Sequence, residues 1–294
     1  MIIFANGCSH TAGQCVQKPL TWPYMLSYSL MNKEWDTIET NNNWGYKATN
    51  PQGLIDKRKN QLFEFSDHGK SNDMIYYETL HFLLSLEKNN LKPDFVVIQW
   101  SGVNRRVHSV PGEKGINDGL VYVNAHDNSK FGPWFEPYAS KHTLQMMLHL
   151  QTYLKLNDIP YAFIPYMEVD TQNKYLIELD FLDESKCTIS PKIGHRNEFR
   201  RKGLTCDTHG HPSLLGHYFI TNKVLEILGC EELIKGLDFH LKKDKTEITL
   251  KSSLTLFKER RKFIKYNQHT FPTDGVDEDS DFWNSVLQRY KSLI

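Results

Sequence analysis

Short apolar runs bounded by turn residues alternate along this chain with longer stretches whose apolar positions recur every three or four residues. The first run, Ile2-Ile3-Phe4-Ala5, ends at Asn6-Gly7 and reads as a buried strand entering a turn. Trp22 to Met31 has helical spacing. Asn72 to Lys88 carries Met74, Tyr77, Leu80 and Leu84 as a helical stripe. Just before it, Ser71-Asn72-Asp73 offers side chains that accept from the free N–H groups of a first turn. Phe95-Val96-Val97-Ile98-Gln99-Trp100 is the clearest strand, set between Pro93-Asp94 and Ser101-Gly102. Its near-continuous apolarity predicts burial on both faces, as in a parallel sheet. A helix is predicted over Ser140 to Leu156, a buried strand over Pro160 to Tyr166, and a helix over Pro212 to Leu228. In the last, Pro212 sits at a favourable first-turn position, and Ile220, Val224 and Ile227 share a face.

The intervals are less regular. Residues 41 to 60 read as an irregular insertion closed by a strand at Leu62 to Phe65. Residues 105 to 137 read as a long surface excursion, and 170 to 205 are too polar to assign. No final sheet strand is visible in the pattern. The alternation over residues 1 to 230 predicts a three-layer α/β/α sandwich around a mostly parallel sheet. Residues 231 to 294 form a charged C-terminal extension. From Leu241 to Asn267 nine Lys or Arg stand against three acidic residues, and Asp274 to Asp281 is acidic. Two readings follow: an arm that binds a protein partner through residues 241–281, or a solvated helical extension whose charge blocks pair with each other.

Composition removes several function classes. Lys+Arg and Asp+Glu balance at 35 each, so no global field recruits nucleic acid or an anionic membrane. No apolar run approaches the roughly 18 residues of a membrane span, and the opening residues do not resemble a secretion signal. Cys8, Cys15, Cys187, Cys206 and Cys230 make an odd number without a C-x-x-C pair. A disulfide framework or zinc ribbon is therefore not expected, and a reducing compartment is, with a cytoplasmic or virion location.

The chemistry gathers in four segments. Gly7-Cys8-Ser9-His10 follows the first strand, and Ser101-Gly102-Val103-Asn104 follows the central one. Gly69-Lys70-Ser71-Asn72 opens the second helix, and Asp207-Thr208-His209-Gly210-His211-Pro212-Ser213 precedes the last. In an open parallel sheet, loops beyond the carboxyl ends of the strands converge on the ligand. A serine hydroxyl needs an adjacent base, so Ser9 is the candidate nucleophile, His211 its base and Asp207 the group that orients the base. The N–H groups of Ser9 and Gly69 and the side-chain amide of Asn104 are candidate donors to an oxyanion. This chemistry needs no cofactor.

These segments resemble the four blocks of the SGNH (GDSL-like) hydrolase superfamily, named for its Ser, Gly, Asn and His. Gly7-Cys8-Ser9 resembles the first block with Cys8 in place of the usual Asp. Gly69-Lys70-Ser71 resembles the second, Gly102-Val103-Asn104 the third, and Asp207 to Pro212 the last. The Gly-Cys-Ser opening and the Gly-x-Ser-Asn helix start also look like SGNH-like proteins encoded by tailed phages. The resemblance implies a flavodoxin-like sheet, an acyl-enzyme on Ser9, and hydrolysis of an ester. The family's last block is usually Asp-x-x-His, whereas three residues separate Asp207 from His211 here.

Alternatives stand beside each choice. His209 could be the base in place of His211, and Cys8 beside His10 could be a nucleophile. Asp207, His209, His211 and His217 could join Cys206 around a metal, although no compact ligand spacing supports it. The aromatic loop at 122 to 138, with Trp134, Phe135 and Tyr138, and Arg105 and Arg106 nearby, suits a polar or acidic glycan. The resemblance implies esters such as O-acetyl groups on a carbohydrate, which with this loop become the first expected substrate, with another small ester or an acyl transfer also open. A non-catalytic virion or scaffold protein that keeps the fold is the competing class.

Overall fold

In the computed structural model, residues 1–13, 16, 18–31, 35–39, 55–56, 58–103, 106–109, 120–123, 136–166, 168–169, 176–207, 210–236 and 239 are described. Five parallel strands form the main sheet: β1 (Ile2–Asn6), β2 (Trp35–Glu39), β3 (Asn60–Glu64), β4 (Phe95–Trp100) and β7 (Tyr161–Pro165). Their order is β2-β3-β1-β4-β7. Without β2 this is the start of the flavodoxin order, and β2 is a strand added beyond β3. A separate antiparallel ribbon pairs β5 (Arg106–Ser109) with β6 (Leu120–Val123) inside the segment expected to be irregular.

The pleat sends alternate side chains of each buried strand into two cores. Phe4, Phe63, Val96, Ile98 and Phe163 face one layer, with α3 (Asn72–Glu87) and α4 (Glu136–Leu156) packed over them. Ile3, Ala5, Leu62, Val97, Ala162 and Ile164 face the other. There α2 (Trp22–Met31) packs beside α7 (Leu214–Ile227). Apolar residues on both faces explain why these strands read as continuous runs. On the first face, Phe4 stacks on Phe82 at 4.4 Å and meets Phe65 edge-on at 5.1 Å. Such pairs add about 0.5–1.5 kcal/mol beyond burial, and here they clamp α3 onto β1 and β3.

Several boundaries differ from expectation for identifiable reasons. Helix α4 begins at Glu136 rather than Ser140. Helix α7 begins at Leu214, because the Ser213 side chain accepts from the Gly216 N–H at 3.3 Å and caps it, leaving Pro212 outside the first turn. Among its described residues, the segment 170–205 contains two further α-helices, α5 (Glu178–Phe181) and α6 (His195–Lys202). Where a last strand would lie, beyond β7, the described residues hold a one-residue parallel bridge from Phe163 to Cys187.

Cys206 is disulfide-bonded, while Cys8, Cys187 and Cys230 are free thiols. No helix among the described residues is long and apolar enough to cross a membrane. Leu233 and Ile234 still pack on the α2–α7 core. The charged segment 241–281 lies outside the described residues.

Candidate active site

The connection after β1 leads toward β2 on one side of the sheet and that after β4 leads toward β7 on the other, the point at which a ligand crevice is expected in an open parallel sheet. Ser9 emerges at that point. Cys8 adopts an extended backbone, and Ser9 begins α1 (Ser9–Ala12), whose first turn leaves the Ser9 N–H without an intrahelical acceptor. Gly7 is required by space. A Cβ there would lie 2.1 Å from Thr11 Oγ1 and 3.0 Å from Gln99 Cβ.

The acid–base segment is a tight loop closed by an antiparallel bridge between Thr205 and Pro212 and by the Cys206 N–H donating to the His211 carbonyl at 2.9 Å. Inside it Asp207 accepts twice from His211: Oδ1 from the backbone N–H at 2.9 Å and Oδ2 from Nδ1 at 2.6 Å. A carboxylate only accepts, so Nδ1 carries the ring proton and Nε2 is left to accept. The Ser9 hydroxyl meets that Nε2 at 3.0 Å. Between acid and base the Gly210 N–H donates to the Asp207 carbonyl at 3.2 Å, and with the three-residue spacing His211 still reaches Asp207. Thr208 and His209 lie outside the described residues.

His211 is held from behind. The His10 ring stacks on it at 4.4 Å and packs on Tyr166 at 4.0 Å. The Tyr166 hydroxyl donates to the Gly210 carbonyl, fixing the loop from below, and burial raises that phenol well above its ordinary value. Cys8 is fully buried with its thiol 3.0 Å from His10 Nδ1. Two members of the alternative metal set, Cys206 and His217, are engaged elsewhere. Cys206 is in its disulfide, and buried His217 accepts the Trp22 N–H on Nδ1 at 3.3 Å. Burial, and then the charge on His211, lower the pKa of His217 to about 3.

Gly69 lies in the loop between β3 and α3. Its φ is +75, and a Cβ would meet nothing within 4 Å. The left-handed backbone, not crowding, selects glycine here. Backbone bonds from Phe65 N–H to the Ala5 carbonyl at 2.8 Å and from Asp67 N–H to the Gly7 carbonyl at 3.4 Å lay this loop along the Ser9 turn. Asn104, the third candidate donor, lies outside the described residues, as does Arg105. The segment leading to Asn104 is anchored by Asn72, whose amide accepts the Ser101 N–H at 2.7 Å and donates to the Ser101 carbonyl at 3.2 Å.

Sequence reasoning missed this supporting layer. Gln99, buried in β4, accepts from the Trp22 indole at 2.9 Å and from the Thr11 hydroxyl, tying α1 to α2. A polar residue inside an apolar strand run was the available signal. Lys70 and Glu78 gave none, since both residue types are usually exposed.

No family model matches the chain, and no curated protein matches it. Among solved structures, LAE5, an alpha/beta hydrolase enzyme from the metagenome of Lake Arreo, Spain, is 13% identical over 78% of this chain and 95% of its own, with a TM-score of 0.43. TesA is 11% identical over 79% and 99%, with a TM-score of 0.43. A catalytic mutant of Axe2, an acetylxylan esterase from Geobacillus stearothermophilus, is 10% identical over 80% and 96%, also with a TM-score of 0.43. At such identities and scores, the chemistry of the site rests on this chain's own geometry.

Proposed function

We propose that this chain is an SGNH-type serine hydrolase that cleaves carboxylic esters through an acyl-enzyme on Ser9. One observation carries the reading: Ser9 Oγ, His211 and Asp207 form a continuous relay, 3.0 Å from hydroxyl to Nε2 and 2.6 Å from Nδ1 to carboxylate. His211 Nε2 takes the Ser9 proton as Oγ attacks the ester carbonyl carbon, and Asp207 stabilises the imidazolium that forms. The negative charge on the carbonyl oxygen is met by the Ser9 and Gly69 N–H groups and the Asn104 amide. Each such donor is worth about 10²–10³ in rate. Collapse of the tetrahedral species breaks the C–O bond, and the leaving alkoxide takes the proton from His211. A water, deprotonated by the same Nε2, then attacks the acyl carbon and frees Ser9 with the carboxylic acid.

The substrate we favour is an O-acetyl group on a carbohydrate. Its support is the aromatic and arginine content of residues 105–138, of which Tyr138 stands exposed beside His142 at the end of α4 nearest Asp73. Exposed aromatic faces suit sugar rings. The test is hydrolysis of p-nitrophenyl acetate, with Ser9→Ala as control, followed by acetate release from an acetylated oligosaccharide. Turnover lost in Ser9→Ala supports the reading. A chain inert toward both esters favours a non-catalytic scaffold instead, and turnover that survives Ser9→Ala removes Ser9 as nucleophile.

A further inference from the structure

A buried lysine stands between the end of β1, the loop leaving β3, and α3. Lys70 is 1% exposed, and lysine is almost never so buried unless paired. Its ammonium has three protons to place, and three acceptors meet it: the Phe65 carbonyl, Asn6 Oδ1 at 3.0 Å and the Glu78 carboxylate. Those acceptors come from three elements: the loop leaving β3, the end of β1, and α3.

The arrangement joins the two halves of the site. Lys70 follows Gly69 in sequence, so fixing its side chain fixes the peptide that carries the Gly69 donor. Asn6 Oδ1 accepts both from Lys70 and, at 2.8 Å, from the Gly7 N–H, which opens the turn leading to Ser9. The Asn6 amide in turn donates to the Ile75 carbonyl and the Thr79 hydroxyl, each at 3.1 Å, and approaches Glu78 at 3.4 Å. One carbonyl oxygen thus sets the nucleophile turn and the Gly69 loop against a common reference on α3.

We propose that Lys70, held by Asn6 and Glu78, is a positioning residue that registers the Gly69 donor against Ser9. This rests on the serine-hydrolase reading. An ion cluster this deep is seldom the most stabilising filling for its volume, whereas a displacement of about 1 Å at reacting groups costs about 10²-fold in rate. The ionic cluster therefore serves geometry.

The test is Lys70→Met, which keeps length and bulk but removes the charge and all three donors. Kinetics with p-nitrophenyl acetate are referred to the folded fraction measured by near-UV circular dichroism. The expected result is a kcat lower by about 10²-fold with KM within about threefold, because the donor acts mainly on the transition state. Glu78→Gln, nearly isosteric, serves if Lys70→Met does not fold; its kcat should fall about tenfold at unchanged KM. Folded variants whose kcat equals wild type, or whose loss is confined to KM, overturn the role of Lys70 and leave the serine-hydrolase reading intact. A wild-type chain that shows no Ser9-dependent turnover overturns both.

Discussion

Acidification should unfold this protein through two imidazoles buried far from water. His195 is fully buried, with Nε2 bonded to the Thr188 hydroxyl at 2.6 Å, and His217 is fully buried against Trp22. Burial lowers both from the ordinary value of 6.5 to about 3. Each folded pKa lies below its unfolded one, so the stabilisation is whole above pH 6.5 and is lost as pH falls toward 3. At 1.36 kcal/mol per pH unit, the gap is worth about 5 kcal/mol per histidine. That is comparable with the about 5–15 kcal/mol total of a typical domain. Between pH 6.5 and 5, unfolding takes up as many as two protons, and the stability slope approaches about 2.7 kcal/mol per pH unit. Two groups oppose this. Burial raises Glu78, and the Asp73 carboxylate raises His142, so both gain stability as pH falls; His142 is exposed enough for solvent to weaken its share. A variant isolates one term. His217→Gln keeps an acceptor for the Trp22 N–H and cannot titrate. Urea unfolding followed by tryptophan fluorescence at pH 7.5, 6.5, 5.5 and 5 should give a slope that becomes smaller in the variant as pH falls, by about 1.3 kcal/mol per pH unit between pH 5.5 and 5. Equal slopes in the two proteins would refute the buried neutral His217.

Two further perturbations read the site itself. Asp207→Asn offers the Nδ1 proton a poorer partner and favours the wrong tautomer, so kcat for p-nitrophenyl acetate should fall by about 10⁴ with little change in KM; a loss below tenfold would show that Asp207 does not orient His211. Gly7→Ala drives a methyl into Thr11 Oγ1 at 2.1 Å and should cost about 1–3 kcal/mol of stability in a thermal melt, whereas an unchanged Tm would mean that the turn before Ser9 relaxes freely.

How much of this was legible in the chain differs by element. Strand β4 and helix α2 follow the predicted limits, because one is a continuous apolar run between turn residues and the other begins cleanly at Trp22. Strand β2 was not foreseen. It is short, lies at the sheet edge and has an exposed Asp36, so its pattern lacks the two-sided apolarity of β1. Helix α6 was hidden for a different reason. His195 and Phe199, four apart, are its only buried residues, and the rest of His-Arg-Asn-Glu-Phe-Arg-Arg-Lys is polar. At the site, Ser9, Asp207 and His211 could be proposed together because their segments follow strands or precede helices in a telling order. The hold of Asn6, Lys70 and Glu78 could not. Those residues meet only when β1, β3 and α3 are assembled, and a lysine in a Gly-Lys-Ser turn reads as solvent-facing.

Covalent labelling reads directly whether Ser9 is an activated nucleophile. A fluorophosphonate probe reacts with a serine only when a base takes its proton. Incubation at pH 7.5 followed by intact-mass and peptide mapping should show one adduct, on Ser9, with labelling abolished in Ser9→Ala and strongly slowed in His211→Ala. An unlabelled wild-type chain, or an adduct on any other residue, contradicts the account.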